Sequence, residues 1–349
     1  MAQKKSVTVR EIAKLADVST ATVSLVLNDK KGVSNETRER IWKLMRDNNY
    51  VSRRPAETPV QTQICYLRYI DSGLVVEVNQ EGSSCLLDGV SAYCGEHNIA
   101  LMMHSVNAQN LDGVLAALRS GSVNGIILLG VEIDDQVVEK VRQTGLPFVV
   151  VDNSMLLQSV SAVTVCNKMA TYDAVKHLYE LGHRKIGYLK SNVPAANFAE
   201  RSQGYSDALR LLHLEGRQPV MVSPTMTGSV FTLQLWMSQR GKDEDFPTAF
   251  VADNDCIAIA AVKVFQEFGL RVPEDVSVVG IGGIAFTSMM TPPLTTVHIP
   301  YTQIGRKAVV QLLSMMEHPE DATETLWVHG TLIVRGSTAK APDGAGGSE

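Results

Sequence analysis

Five cysteines occur in 349 residues, and none forms a CxxC pair. Cys65, Cys85, Cys94, Cys166 and Cys256 are an odd number, and they read as reduced thiols rather than a disulfide framework. The eight histidines show no HExxH or Cys/His spacing, so no metal site is expected. No run of about 18 apolar residues exists to span a membrane. The first residues, MAQKKSVTVREI, lack the apolar core of a secretory signal. A cytoplasmic protein without a membrane partner is the expectation. Also missing are a GxSxG elbow, a Walker loop and a Cys/His nucleophile set. GIGG at 280–283 looks like a phosphate turn, but no GxGxxG with a later acidic residue accompanies it. Neither an enzyme nor a cofactor is expected.

Charge, by contrast, is unevenly spread. Residues 1–62 carry 12 Lys/Arg against 7 Asp/Glu, a balance of +5, within a chain whose net charge is −5. A basic head on an acidic body suits a nucleic-acid module attached to a domain that does not touch nucleic acid.

The head reads as three helices. In VTVREIAKLADVSTATVSLVLN, Thr8 and Glu11 have the spacing of a capping box. Ile12, Leu15 and Ala16 then recur at helical spacing, and Asp17 to Ser19 break the helix. Ser19 is placed to cap a second helix, with Val23, Val26 and Leu27 inward and Thr20, Ala21, Thr22 and Ser24 outward. Ser34 is placed to cap a third, with Ile41, Leu44 and Met45 inward. Short outward side chains at a helix start allow close approach to phosphates and entry into a major groove.

From residue 64 strands and helices alternate. Strands are expected at 64–69, 100–105, 125–129, 147–151, 185–189, 249–251 and 277–280, with another in VTVCN leading to Asn167. Helices are expected at 84–97, 111–120, 135–144, 170–181, 198–213, 230–239 and 256–268. Such βα units make parallel sheets covered on both faces. Two series of them imply two lobes with a cleft between, and residues 295–298 and 325–334 crossing back. Ligands bind such sheets at the carboxyl ends of the strands.

The motifs VTVREIAKLADVSTATVSLVLN, VSNETRERI, GHRKIGYL, ERSQGYSDAL, PPLTTVHIPYTQIGRKAV and LIVRGST together resemble the LacI/GalR (lactose-repressor) family of bacterial regulators. The resemblance covers residues 7–338. It implies an all-α helix-turn-helix headpiece at 1–50 and a hinge at 51–63. A two-lobed, periplasmic-binding-protein-like α/β sensor with parallel sheets in three layers follows at 64–338, and a disordered tail at 339–349. In that family the hinge forms a helix that pushes a leucine into the minor groove. Here Pro55 and Pro59 interrupt it, and Pro59 falls where the leucine belongs. Arg53 and Arg54 either enter a minor groove as an extended arm or sit in a stiff linker without base contacts.

The resemblance places Thr8, Ser19, Thr20, Ala21, Thr22, Ser24, Leu25, Asn28, Ser34, Tyr50, Arg53 and Arg54 at DNA. Leu25 stands where an Arg is frequent, so it meets a thymine methyl or packs on the linker. It places Arg201, Asn254, Asn167 and Asp71 at the effector. On the residues alone, Arg201 is either in the cleft or a surface Arg paired with Glu200 or Asp207. Asn254 and Asp255 either cap a helix or reach the cleft. The family's usual acidic residue near Gly282, which holds sugar hydroxyls, is absent. Either the effector is not a standard free sugar, or another group does that work. The reading is a DNA-binding transcriptional regulator, a repressor in most of the family. Its partners are palindromic double-stranded operator DNA, a sugar-like effector and a second copy of itself. A two-lobed solute-binding protein and an enzyme with a DNA-binding head are the rival readings.

Overall fold

The computed structural model describes residues 7–27, 32–48, 50, 62–71, 80–240 and 246–342. Contacts divide the chain between Gln61 and Thr62 into a small and a large unit. The arm at 1–6, Asn28, and residues 51–61 of the hinge, with Arg53, Arg54, Pro55 and Pro59, lie outside the described residues.

The small unit holds α1 (Val9–Leu15), α2 (Thr20–Leu27) and α3 (Asn35–Asp47). Ile12, Ala13, Ala16, Val23, Val26, Ile41 and Met45 are buried together. Leu15, expected on the inner face of α1, is 55% exposed, and Ala13 takes that place in the core. The turn after α1 works because Asp17 adopts a left-handed backbone at φ 51, which Asp tolerates better than most residues.

The large unit has two six-stranded sheets. The first runs through β1 (Gln63–Tyr69), β2 (Ala100–Val106), β3 (Gly125–Leu129), β4 (Phe148–Val151), β5 (Ser161–Val165) and β11 (Thr325–Val328). Its order is β11-β5-β4-β3-β1-β2, all parallel. The second sheet contains β6 (Ile186–Ser191), β7 (Val220–Val222), β8 (Ala249–Ala252), β9 (Ser277–Gly282), β10 (Thr295–His298) and β12 (Thr331–Ile333). Its order is β12-β10-β9-β8-β6-β7, with β12 antiparallel at the edge.

Helices cover both faces of each sheet. Around the first pack α4 (Gln80–Glu96), α5 (Leu111–Ser120), α6 (Asp135–Arg142) and α11 (Tyr301–Glu317). Around the second pack α7 (Asn167–Glu180), α8 (Ala196–Leu211), α9 (Met226–Gln239) and α10 (Asp255–Glu267). Alternation along single strands shows the two-sided burial. In β1, Ile64 and Tyr66 join one core while Cys65, Leu67 and Tyr69 join the other. In β8, Ala249 and Val251 face one way, Phe250 and Ala252 the other.

Three elements differ from the sequence reading. Strand β7 and helix α11 were not expected, although Tyr301, Ile304, Gly305, Ala308, Val309 and Leu312 are buried at helical spacing. The stretch 325–334 is two strands that enter different sheets. Residues 339–342, read as the start of a disordered tail, are bonded to the large unit, and 343–349 lie outside the described residues. Ala339 donates its N–H to Ser277 Oγ at 3.1 Å, and Ala341 to the carbonyl of Leu181 at 2.9 Å.

Candidate DNA-binding face and effector cleft

Each helix of the head starts on a side-chain cap. The N–H of Thr8 donates to Glu11 Oε2 at 2.6 Å, and the N–H of Glu11 to Thr8 Oγ1 at 3.4 Å, completing the capping box. Ser19 Oγ accepts from the N–H of Thr22 at 3.1 Å, and Ser34 Oγ from the N–H of Thr37 at 3.3 Å. Thr20, Ala21 and Ser24 are exposed on α2, while Thr22 and Leu25 are half-buried. Tyr50 is half-buried against the head's own core, and its N–H donates to the carbonyl of Met45 at 2.9 Å.

In the large unit the strand ends converge on a cleft between the lobes. Arg201 on α8 is 3% exposed, so it is not a surface Arg. Its Nε donates to Asn167 Oδ1 at 2.9 Å and its Nη1 to the carbonyl of Asp253 at 2.5 Å. Asn167, at the start of α7, donates from Nδ2 to Glu200 Oε2 at 2.9 Å. Glu200 Oε1 accepts from Ser154 Oγ, just past β4, at 2.5 Å. Asp207, the other partner considered for Arg201, instead accepts from Arg210.

Two buried carboxylates flank this guanidinium. Asp152, at the end of β4 and at φ 59, is pushed up to about 7 by burial, while Arg201 pulls it down and Glu200 pushes it up. Asp253 is pushed up to about 6 by burial, against the pull of the Tyr188 hydroxyl, the Ser191 N–H and Arg201. A groove of about 610 Å³ beside the network is lined by Glu132, Asn153, Lys190, Asn192 and Phe198, drawn from both lobes. Another groove, of about 650 Å³, lies by Trp236, Arg240 and Phe250, near the amino ends of β6 and β8 and so away from the cleft.

The remaining expected residues are more scattered. Asn254 caps α10: its Oδ1 accepts from the N–H of Ile257 at 2.8 Å, and its Nδ2 donates to the carbonyl of Pro224 at 3.2 Å. Asp71 is exposed past the end of β1, and its N–H donates to Glu132 Oε2 at 2.6 Å. Asp255 turns under the loop after β9. Its Oδ2 accepts from the N–H groups of Gly283 at 2.5 Å and Ile284 at 2.9 Å, and its Oδ1 from Thr296 Oγ1 at 2.6 Å. The GIGG turn therefore does hold a carboxyl group, but it is the chain's own Asp255. Burial raises the pKa of Asp255, and those three donors and Arg201 oppose the rise.

Comparison with known proteins matches the two units separately. Residues 8–52 match the model for bacterial regulatory proteins of the lacI family, and residues 175–338 match the periplasmic binding protein-like domain. The chain thus joins a lacI-family DNA-binding domain to a periplasmic binding protein-like domain. It is 29% identical to the HTH-type transcriptional repressor PurR of Aliivibrio salmonicida over 337 residues, 95% of this chain and 99% of that one. It is also 29% identical to the ribose operon repressor of Haemophilus influenzae (95% and 98%) and to the transcriptional repressor CytR of Escherichia coli (97% and 98%). In fold it is similar to the transcriptional regulator CelR in complex with cellobiose, with a TM-score of 0.70 at 24% identity over 95% of this chain and 99% of that one. It is equally similar, at 0.70 and 23% over 96% and 100%, to the lac repressor dimer bound to operator.

Against the LacI-family pattern, the glycine at 282 has a physical reason. Its backbone lies at φ 144, and an added Cβ would fall 2.9 Å from Asp255 Oδ2. Asp255, from the end of β8, thus takes up the space that a side chain at 282 would enter. Ser154, Asp152 and Asp253 were not singled out from sequence, and Glu200 was considered only as a surface partner of Arg201. The signal for Asp152 and Asp253 was there: each follows directly on an apolar strand, at its carboxyl end.

Proposed function

We propose that the chain is a cytoplasmic, homodimeric transcriptional repressor without catalysis of its own, whose grip on a palindromic operator responds to a small polyhydroxyl effector. The observation that carries this is the joining of a lacI-type head to a two-lobed body in one chain, aligned nearly end to end with transcriptional repressors. Residues 1–50 bind DNA, 51–63 link, and 64–338 sense. The exposed Thr20, Ala21 and Ser24 on α2 face the major groove, with Leu25 set for a thymine methyl. Thr8, Ser19, Thr22, Asn28, Ser34 and Tyr50 hold phosphates, and Arg53 and Arg54 follow the groove as the chain leaves the head. One such head offers few contacts, so two-fold pairing on a palindrome supplies the rest. Arg201 and Asn167 anchor the effector, with Asn254 and Asp71 at its margins. A relative named for the ribose operon and a neighbour bound to cellobiose support a sugar-like ligand.

The test is a gel shift of the full chain on its own gene's upstream region across a salt series. The log–log slope of affinity against salt should be about −4 or steeper, since several Lys and Arg contacts per head release counterions. A flat response sinks the reading. Thermal-shift screening of sugars and nucleosides then identifies the effector, because a ligand selective for the fold raises its melting point.

A further inference from the structure

Two glutamates, one from each lobe, hydrogen-bond across the cleft. Ser154 of the first lobe donates to Glu200 Oε1 of the second at 2.5 Å. The N–H of Ala285, in the second lobe, donates to Glu81 Oε1 at the start of α4, in the first, at 2.8 Å. The bridges differ in setting. Ser154 is 5% exposed and Glu200 half-buried, whereas Glu81 and Ala285 are exposed.

The buried bridge does not end at Glu200. Its second oxygen accepts from Asn167 Nδ2 at 2.9 Å, Asn167 Oδ1 accepts from Arg201 Nε at 2.9 Å, and Arg201 Nη1 donates to the Asp253 carbonyl at 2.5 Å. Four hydrogen bonds in series thus run from the loop after β4 to the end of β8. Every link from Glu200 onward sets the next. Glu200 fixes which face of the Asn167 amide carries the donor, and that leaves the Asn167 oxygen for Arg201.

We infer that Glu200 is the positioning residue of the cleft: its carboxylate latches the lobes together through Ser154 and orients Asn167 and Arg201. The latch itself stands on the geometry alone. Its meaning for an effector rests on the proposed function. A ligand that engages the Asn167 amide meets a donor already held by Glu200, so binding displaces the carboxylate and releases Ser154. The ligand's own acceptors then decide how the lobes settle.

Glutamine at 200 keeps one acceptor oxygen but turns an NH₂ toward either Ser154 or Asn167, so it satisfies one of the two donors. The experiment is amide hydrogen exchange on the full chain, comparing wild type with Ser154→Ala, Glu200→Gln and the double variant. Each single variant should speed exchange at least fivefold in peptides covering 152–158 and 196–203. It should do the same in 281–290, which contains the Ala285 amide and makes no hydrogen bond to either altered residue. The double variant should be no faster than the faster single one, as expected when both changes break one contact. Head peptides should not change. Unchanged exchange at 281–290 would confine Glu200 to its own helix and overturn the latch, as would multiplicative effects in the double variant. If Glu200→Gln does not fold, Ser154→Ala carries the same test. The readout needs neither DNA nor effector, so a protein that failed to bind DNA would leave this result standing.

Discussion

In the head, each capping hydroxyl meets its amide three residues along the chain: Thr8 with Glu11, Ser19 with Thr22, Ser34 with Thr37. In the cleft, the bonds that hold Arg201, Asn167, Glu200 and Ser154 join residues 33 to 52 positions apart. The first kind is exposed, short-range and separable, so its energies should add. The second is buried and serial, so removing one member strands the others.

Arg201→Ala breaks the comparison hardest. From sequence, a cleft-lining Arg contributes little to the core, and its loss would leave the melt unchanged. Its burial beside Asp152 and Asp253 argues otherwise. Truncation leaves two buried acids and the Asn167 amide without their shared partner, and should destabilise the large unit by about 3–5 kcal/mol. Calorimetry of the full chain checks this, and an unchanged melt would return Arg201 to the periphery.

Asp152→Asn sharpens it. An acid whose pKa is raised in the folded state binds its proton more tightly folded than unfolded. Its contribution to stability is full below the ordinary carboxylate pKa and is lost as pH rises through the folded value. For Asp152 the window runs from about 4 to about 7, and for Asp253 from about 4 to about 6. His177 and His183, whose pKa values burial lowers, act oppositely on the acid side, so the informative quantity is the difference between variant and wild type. Between pH 6 and 7 the wild type should lose stability relative to Asp152→Asn by up to about 1.4 kcal/mol per pH unit, the value of one proton. Parallel urea curves at pH 6 and 7 would contradict the assignment.

Thr8→Ala is the smallest and cleanest. It should cost about 1 kcal/mol in the head alone, the usual value of an N-cap. The measurement is exchange of the Glu11 amide, with the large unit's melt unchanged. A loss well above this would show that the head, too, is wired beyond its neighbours.

The same contrast explains what could be read in advance. All three caps of the head were legible, because Thr8, Ser19 and Ser34 announce themselves within one turn. The central strands of both sheets were legible from apolar runs such as FVVV and AFVA, while the short edge strand β7 was not. Helix α11 was missed because it follows a run of Pro, Thr and His that reads as a crossing segment, and because Gly305 dilutes its apolar stripe. That glycine is there for packing: a Cβ at 305 would fall 2.1 Å from the carbonyl oxygen of Leu86 on α4. In the cleft, Arg201 and Asn167 were picked out singly. Their bond was not, because no local pattern reports a contact between the starts of α7 and α8. Nor does a residue type reveal that its hydrogen bonds are already taken, as they are for Asn254 and Asp255.

Strand β11 has a consequence for how the protein is made. Thr325 pairs with Ala162, and α11 lays Ile304, Ala308 and Leu312 into the core shared with β3, β4 and β5. A ribosome finishes the first five strands of the first sheet by Val165 but does not reach Tyr301 until the second sheet is nearly complete. At synthesis rates of about 5–20 residues per second, that leaves the part of one apolar face that α4 does not cover exposed for on the order of ten seconds. During that interval the second lobe must fold beside a first lobe that is still waiting for its last helix.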